Sequence, residues 1–177
     1  KSEHPVNPAG FIIHSAIHQA RPKDLHCVMH SHEINSQTLA ASKSKLIPLT
    51  QEGCQLYERV GYHEFNGIVL NDEEKEKLIN AIGNEKHTLL MRNHGLITAG
   101  PTAAWAFIRH QHFIRNAEVQ LKLMASNAEM SIISDNILKH TREQFEGGSA
   151  QAGAKVRHPE WPAFWRLLDT LDEKWKH

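Results

Sequence analysis

At 177 residues the chain is long enough to bury most of a core, and its size fits one compact unit. Its 20 Lys and Arg residues balance 20 Asp and Glu, so no bulk charge draws it to nucleic acid or an anionic membrane, and no apolar stretch nears the roughly 18 residues a span requires. Cys27 and Cys54 are too few for a disulfide framework, and no signal peptide opens the chain, so the expectation is a reduced, cytoplasmic protein.

In chain order, Gly10 to Ala20 carries apolar residues at Phe11, Ile13, Ala16, Ile17 and Ala20, close to helical period, and Pro22 stops the pattern. Leu25-His26-Cys27-Val28-Met29 reads as a strand that closes on His30-Ser31-His32. Gln37 to Lys43 is helix-compatible, and Leu46-Ile47-Pro48-Leu49 reads as a short edge strand because of its proline. Gly61 to Phe65 and Gly67 to Leu70 are two further strand candidates.

Asn71-Asp72-Glu73-Glu74 is a helix start, with an amide to cap early N–H groups and carboxylates at the positive helix end. Leu78, Ile79 and Ile82 form its apolar face, and Gly83-Asn84 end it. Thr88 to Met91 and Leu96 to Ala99 are strands on either side of Asn93-His94-Gly95, and a long helix from Pro101 presents Phe107, Ile114, Ala117, Leu121 and Met124. A short helix over Ile137 to Phe145 is expected to stop at Gly147-Gly148, followed by a small-residue linker from Ser149 to Val156. A last helix from Pro162 places Trp161, Phe164, Trp165, Leu168, Leu171 and Trp175 on one stripe, which suggests a subunit contact. Strands alternating with helices make the chain an α/β layered protein.

Side chains two apart on an extended strand share a face, so His30 and His32 can reach one ion. Among 14 histidines a pair at this spacing also arises by chance. The context argues for a site, because the pair ends a strand-like run and His94 ends another, beside a glycine that permits close backbone approach. Three neutral imidazoles with open positions make a catalytic rather than a structural metal site. His110 and His112, also two apart, lie about 200° apart on a helix and cannot share an ion. His14 and His18 have the i, i+4 spacing of a helical chelate but are assigned no metal, and Glu33 is read as solvated or as a support to the ligands.

The segments Asn7-Pro8-Ala9-Gly10-Phe11-Ile12-Ile13-His14-Ser15-Ala16-Ile17-His18, Ala20-Arg21-Pro22, His30-Ser31-His32 and Arg92-Asn93-His94-Gly95-Leu96-Ile97-Thr98-Ala99-Gly100 resemble, in order and spacing, the class II aldolase/adducin family. The likeness runs from about Asn7 to Leu123, and its Asn-Pro-Ala-Gly-Phe form is closer to the adducin head and its bacterial relatives. It implies a three-layer α/β/α domain with a mixed central sheet over residues 1–177, with the N-terminal part of the family domain absent and 135–177 a helical extension. It also implies a divalent metal on His30, His32 and His94, with zinc first and manganese, iron, cobalt or nickel as alternatives.

In the sugar-phosphate aldolases of this family a glutamate acts as general base four residues before the position of His14. Here that residue is Gly10, so efficient sugar-phosphate cleavage is not expected. His63, in a Tyr-His pair that the adducin-like relatives share, is the substitute acid–base group, against the plainer reading of a packed histidine. The implied activity is a metal-dependent lyase acting on a small carbonyl or carboxylate compound through a stabilised enolate, in a homotetramer. The alternative is an adducin-like assembly domain without catalysis.

Overall fold

The computed structural model describes residues 4–68, 72–151 and 158–171. Helix α1 (Pro8–Ala20) begins where Asn7 accepts a hydrogen bond from Gly10 N at 3.2 Å, with proline in the first turn, where no N–H is needed. It buries Ile13, Ala16 and Ile17, whereas Phe11 is exposed, so its apolar stripe is narrower than its sequence period suggests. Strand β1 (Cys27–Ser31) follows, then α2 (Ile34–Ala41), a 3₁₀ turn (Glu52–Leu56), β2 (Val60–His63) and α3 (Asp72–Ile82). Strands β3 (Thr88–Met91) and β4 (Gly95–Gly100) form a hairpin, and α4 (Ala103–Ser126), α5 (Asp135–Gln151) and α6 (Trp161–Asp169) complete the order.

The sheet order is β1-β4-β3-β2, antiparallel at β1/β4 and β4/β3 and parallel at β3/β2. Every residue of β3 and β4 is buried, as central strands covered on both faces require. Alternation sorts their side chains into two cores. Leu89, Met91, Ile97 and Ala99 pack with Ile13 and Ile17 of α1 and Leu78 and Ile82 of α3. Leu90 and Leu96 pack on the other face with Leu39 of α2 and Phe113 and Ala117 of α4. The fold is thus a mixed sheet between helix layers.

Several elements depart from the sequence reading. Leu46–Leu49 is not a strand. Its backbone is held by α4 side chains instead: Gln120 Oε1 accepts from Ile47 N and Asn116 Oδ1 from Leu49 N, both at 2.8 Å, while Asn116 Nδ2 donates to Ile47 O at 2.8 Å. Pro48 has no N–H for a ladder, and helix amides supply what a neighbouring strand would have. Gly67, with φ +99°, and Ile68 bend rather than extend; Val69, Leu70 and Asn71 lie outside the described residues. Helix α2 starts three residues earlier than expected because Glu33 caps it, accepting from Asn35 N and Ser36 N at 3.0 Å each. Glu33 is therefore a helix cap rather than a solvated residue. Helix α5 does not stop at Gly147-Gly148 but runs to Gln151, and it packs on the 3₁₀ turn. Most of the expected linker, and Trp175, lie outside the described residues. No helix among the described residues is long and apolar enough to cross a membrane.

Candidate metal centre

His30 lies in β1 opposite Ile97, on the face that packs against α1 and α3, and β1 ends at Ser31. His32 stands just past the strand, and His94 sits in the turn joining β3 to β4, after Asn93 at φ +53°. Asparagine is among the few side-chain-bearing residues that adopt this backbone readily. The turn is tied down by His94 N donating to Met91 O at 3.1 Å and by Gln37 Nε2 donating to His94 O at 3.1 Å.

These contacts bring the three imidazoles together from two separated chain segments. Ring centroids are 4.9 Å apart for His30–His32, 4.8 Å for His30–His94 and 4.8 Å for His32–His94. One ring nitrogen of each lies within 4.8 Å of the others, and His30 Nε2 is 3.1 Å from His32 Nε2. Two nitrogens each about 2.0–2.1 Å from one tetrahedral zinc would be roughly 3.3 Å apart. His30 Nδ1 donates to Leu96 O at 3.0 Å, which fixes the tautomer and leaves the Nε2 lone pair facing its neighbours.

Burial pushes His30 down to about 4, against the raising effect of the Leu96 carbonyl, and repulsion from His94 and His32 adds to the lowering. Burial likewise lowers His94, with His32 and His63 adding repulsion. Neutral imidazoles are the form that ligates metals. A Cβ at Gly95 would collide with the Ser31 carbonyl oxygen and stand 3.0 Å from His32 Cδ2. The cradle around the rings therefore exists only because residue 95 has no side chain.

His63, the last residue of β2, registers with Met91 and so shares the face of His30 and Ile97. It is 5% exposed, and its Nε2 lies 3.2 Å from Oε2 of buried Glu74 on α3. Burial lowers its pKa while Glu74 raises it. Glu74 was not singled out from sequence, where it read only as a helix-start carboxylate. His18 Nδ1 is instead engaged by Leu25 O at 2.9 Å, and the potential metal-holding group among the described residues does not include His14 or His18. His110 and His112 serve separate neighbours, Ser31 with Thr98 and Gln55 with Glu160.

Residues 1–121 match the family model described as the class II aldolase and adducin N-terminal domain. A Caulobacter vibrioides protein classed with the class 2 aldolases is 37% identical over 176 residues, 96% of this chain and 64% of that protein. Alpha-adducin of Rattus norvegicus is 32% identical over 174 residues, covering 94% of this chain and 23% of the adducin. Among solved structures, the L-fuculose 1-phosphate aldolase of Glaciozyma antarctica PI12 superposes with a TM-score of 0.73 at 28% identity, over 92% of this chain and 60% of that one. The chain thus spans less than two thirds of the length of these proteins.

Proposed function

The chain belongs to the class II aldolase and adducin family, and from that membership we propose that it is a metal-dependent lyase-type enzyme acting on a small carbonyl or carboxylate compound. Its ligands are His30, His32 and His94, its metal is a divalent cation with zinc first, and His63 is its acid–base group. The observation that carries the reading is the convergence of three imidazole nitrogens within 4.8 Å of one another at the ends of strands. A divalent cation bound there supplies a Lewis acid that polarises a substrate oxygen and stabilises negative charge as it develops.

The chain's own part is to hold that site and move the proton. Leu96 O orients His30, Gln37 anchors the turn that presents His94, and Gly95 keeps the backbones close enough for the rings to meet. His63 has the buried, carboxylate-paired setting of a proton-transfer imidazole. The same reading has the enzyme as a homotetramer in a reducing cytoplasm, consistent with free Cys27 and Cys54.

Efficient sugar-phosphate cleavage is not part of the proposal, since Gly10 cannot supply the carboxylate that the aldolases use there, and losing a positioned acid–base group costs about 10²–10⁴ in rate. A second reading, a non-catalytic adducin-like assembly module, draws on that same Gly10 and on the 32% identity to alpha-adducin.

One preparation, purified without a histidine tag, separates these readings by elemental analysis and a coupled ketose-phosphate assay. The expected result is about one divalent transition metal per chain, lost in His32→Ala, with aldehyde release far below an ordinary turnover of about 10 per second. Metal well below one per chain, unchanged by His32→Ala, would end the enzyme reading.

A further inference from the structure

Outside the three ligands, the described residue pair whose chemistry is least explained by packing is His63 with Glu74. Both side chains are buried, at 5% and 6% exposure, and they come from different elements, the end of β2 and the first turns of α3. A buried imidazole beside a buried carboxylate costs desolvation on both sides, which ordinary core residues would avoid. Glu74 is kept ionised: Lys77 Nζ lies 2.5 Å from Oε1 and, with Asn66, holds the carboxyl below its ordinary range. His63 Nε2 has no aligned hydrogen-bond partner among the described residues, and Glu74 Oε2, 3.2 Å away, is the acceptor that a small rotation of the ring would bring into line.

We propose that Glu74 is the positioning residue that makes His63 a base, its carboxylate accepting Nε2–H so that the ring's lone pair stands on Nδ1. This rests on the proposed role of His63 and deepens it. The proton that Nδ1 takes comes from a hydroxyl or an activated carbon of the carbonyl substrate, and the resulting imidazolium, charged on the ring, is stabilised by Glu74 without proton transfer to the carboxylate. Met91 fixes the height of His63 in the sheet, and Arg92 N donating to His63 O at 2.8 Å fixes its backbone, so the ring's remaining freedom is the one Glu74 removes.

The charged groups around His63 are Glu74 and Lys77 from α3, Glu64 from its own segment and His94 from the β3–β4 turn. Of these, Glu74 has the largest raising effect on the imidazole. A glutamine there would keep the shape and remove the charge, whereas an aspartate would keep the charge and shorten the reach.

Nitrogen-15 spectra of histidine-labelled protein, zinc-loaded and zinc-free, test this without any substrate. Wild-type His63 is expected as a single tautomer with its proton on Nε2 and Nδ1 bare. In Glu74→Gln it becomes a mixture of tautomers with proton affinity about tenfold lower; Glu74→Asp falls between. A wild-type ring protonated on Nδ1, or a His63 pKa indifferent to Glu74→Gln, overturns the proposal, and the first result needs no variant to fold. Zinc content measured on the same samples keeps the two claims apart: absence of bound zinc sinks the metal site alone, and an Nδ1-protonated His63 in zinc-loaded protein sinks the Glu74 pairing alone.

Discussion

A Cβ on residue 95 would run into the Ser31 carbonyl oxygen and stand 3.0 Å from His32 Cδ2 and 3.4 Å from His30 Cε1. Gly95→Ala must therefore push β1 and β4 apart at the point where the three imidazoles converge. The expected cost is about 1–3 kcal/mol of stability, as for overpacking elsewhere, together with weaker zinc binding. Urea midpoints and zinc titration of the two proteins check this, and unchanged affinity would mean that the rings adjust independently of the strand. Gly10 is the opposite case, since a Cβ there meets nothing closer than 3.8 Å. A Cβ would therefore be accommodated at that position, and close packing does not demand glycine there.

At the scale of elements, α4 is tied to β1, the strand that carries His30, by a directed chain of hydrogen bonds. Thr98 Oγ1 donates to Ala106 O at 2.8 Å and accepts from His110 Nδ1 at 3.0 Å, so His110 Nε2 accepts from Ser31 Oγ at 2.6 Å. Ser31 lies between His30 and His32 on the opposite face of the strand, and the chain therefore holds their spacing from behind. Burial pushes His110 down to about 4, with Glu33 opposing, while the unfolded chain keeps the ordinary 6.5. Between those pH values the unfolded state binds the extra proton, so this contribution is complete above about 6.5 and is lost as pH falls toward 4. With chelator present, unfolding free energy should thus decline with acidity, and His110→Gln should flatten the slope by up to about 1.4 kcal/mol per pH unit. Denaturant titrations at several pH values read the slope directly; an equal slope in the variant would assign the acid sensitivity to other groups.

For the whole molecule, the apolar face of α6 is the feature that a monomer leaves uncovered. Phe107 of α4 meets Trp161 and Phe164 edge-on, at centroid distances of 5.6 and 5.1 Å, but Trp165 is 41% exposed, Leu167 56% and Leu171 57%. Contiguous exposed apolar surface of this kind marks an interaction site. The proposed homo-oligomer should persist at micromolar concentration by light scattering and dissociate when residues from Pro159 onward are deleted. A monomeric wild type would refute it.

The parts legible in sequence were those set by local pattern. The short, nearly continuous apolar runs of Leu89 to Met91 and Leu96 to Ala99 marked two strands buried on both faces, and the spacing of Ile13, Ala16 and Ile17 marked α1, because the pattern of burial follows from backbone geometry. His30, His32 and His94 stood out for the same reason, each at the end of such a run. What the tertiary structure decided was which polar groups could be buried. Helix α4 hides His112, Asn116 and Gln120 away from its expected apolar stripe and His110 within it, because each finds a partner far along the chain. Leu46–Leu49 is no strand for the complementary reason, that its backbone bonds go to those same amides. Glu74 joins His63 only across the β2–α3 connection. Local pattern fixes period and face, whereas a buried polar side chain is stable only where a partner exists, and that partner is brought into place by packing rather than by neighbours in sequence.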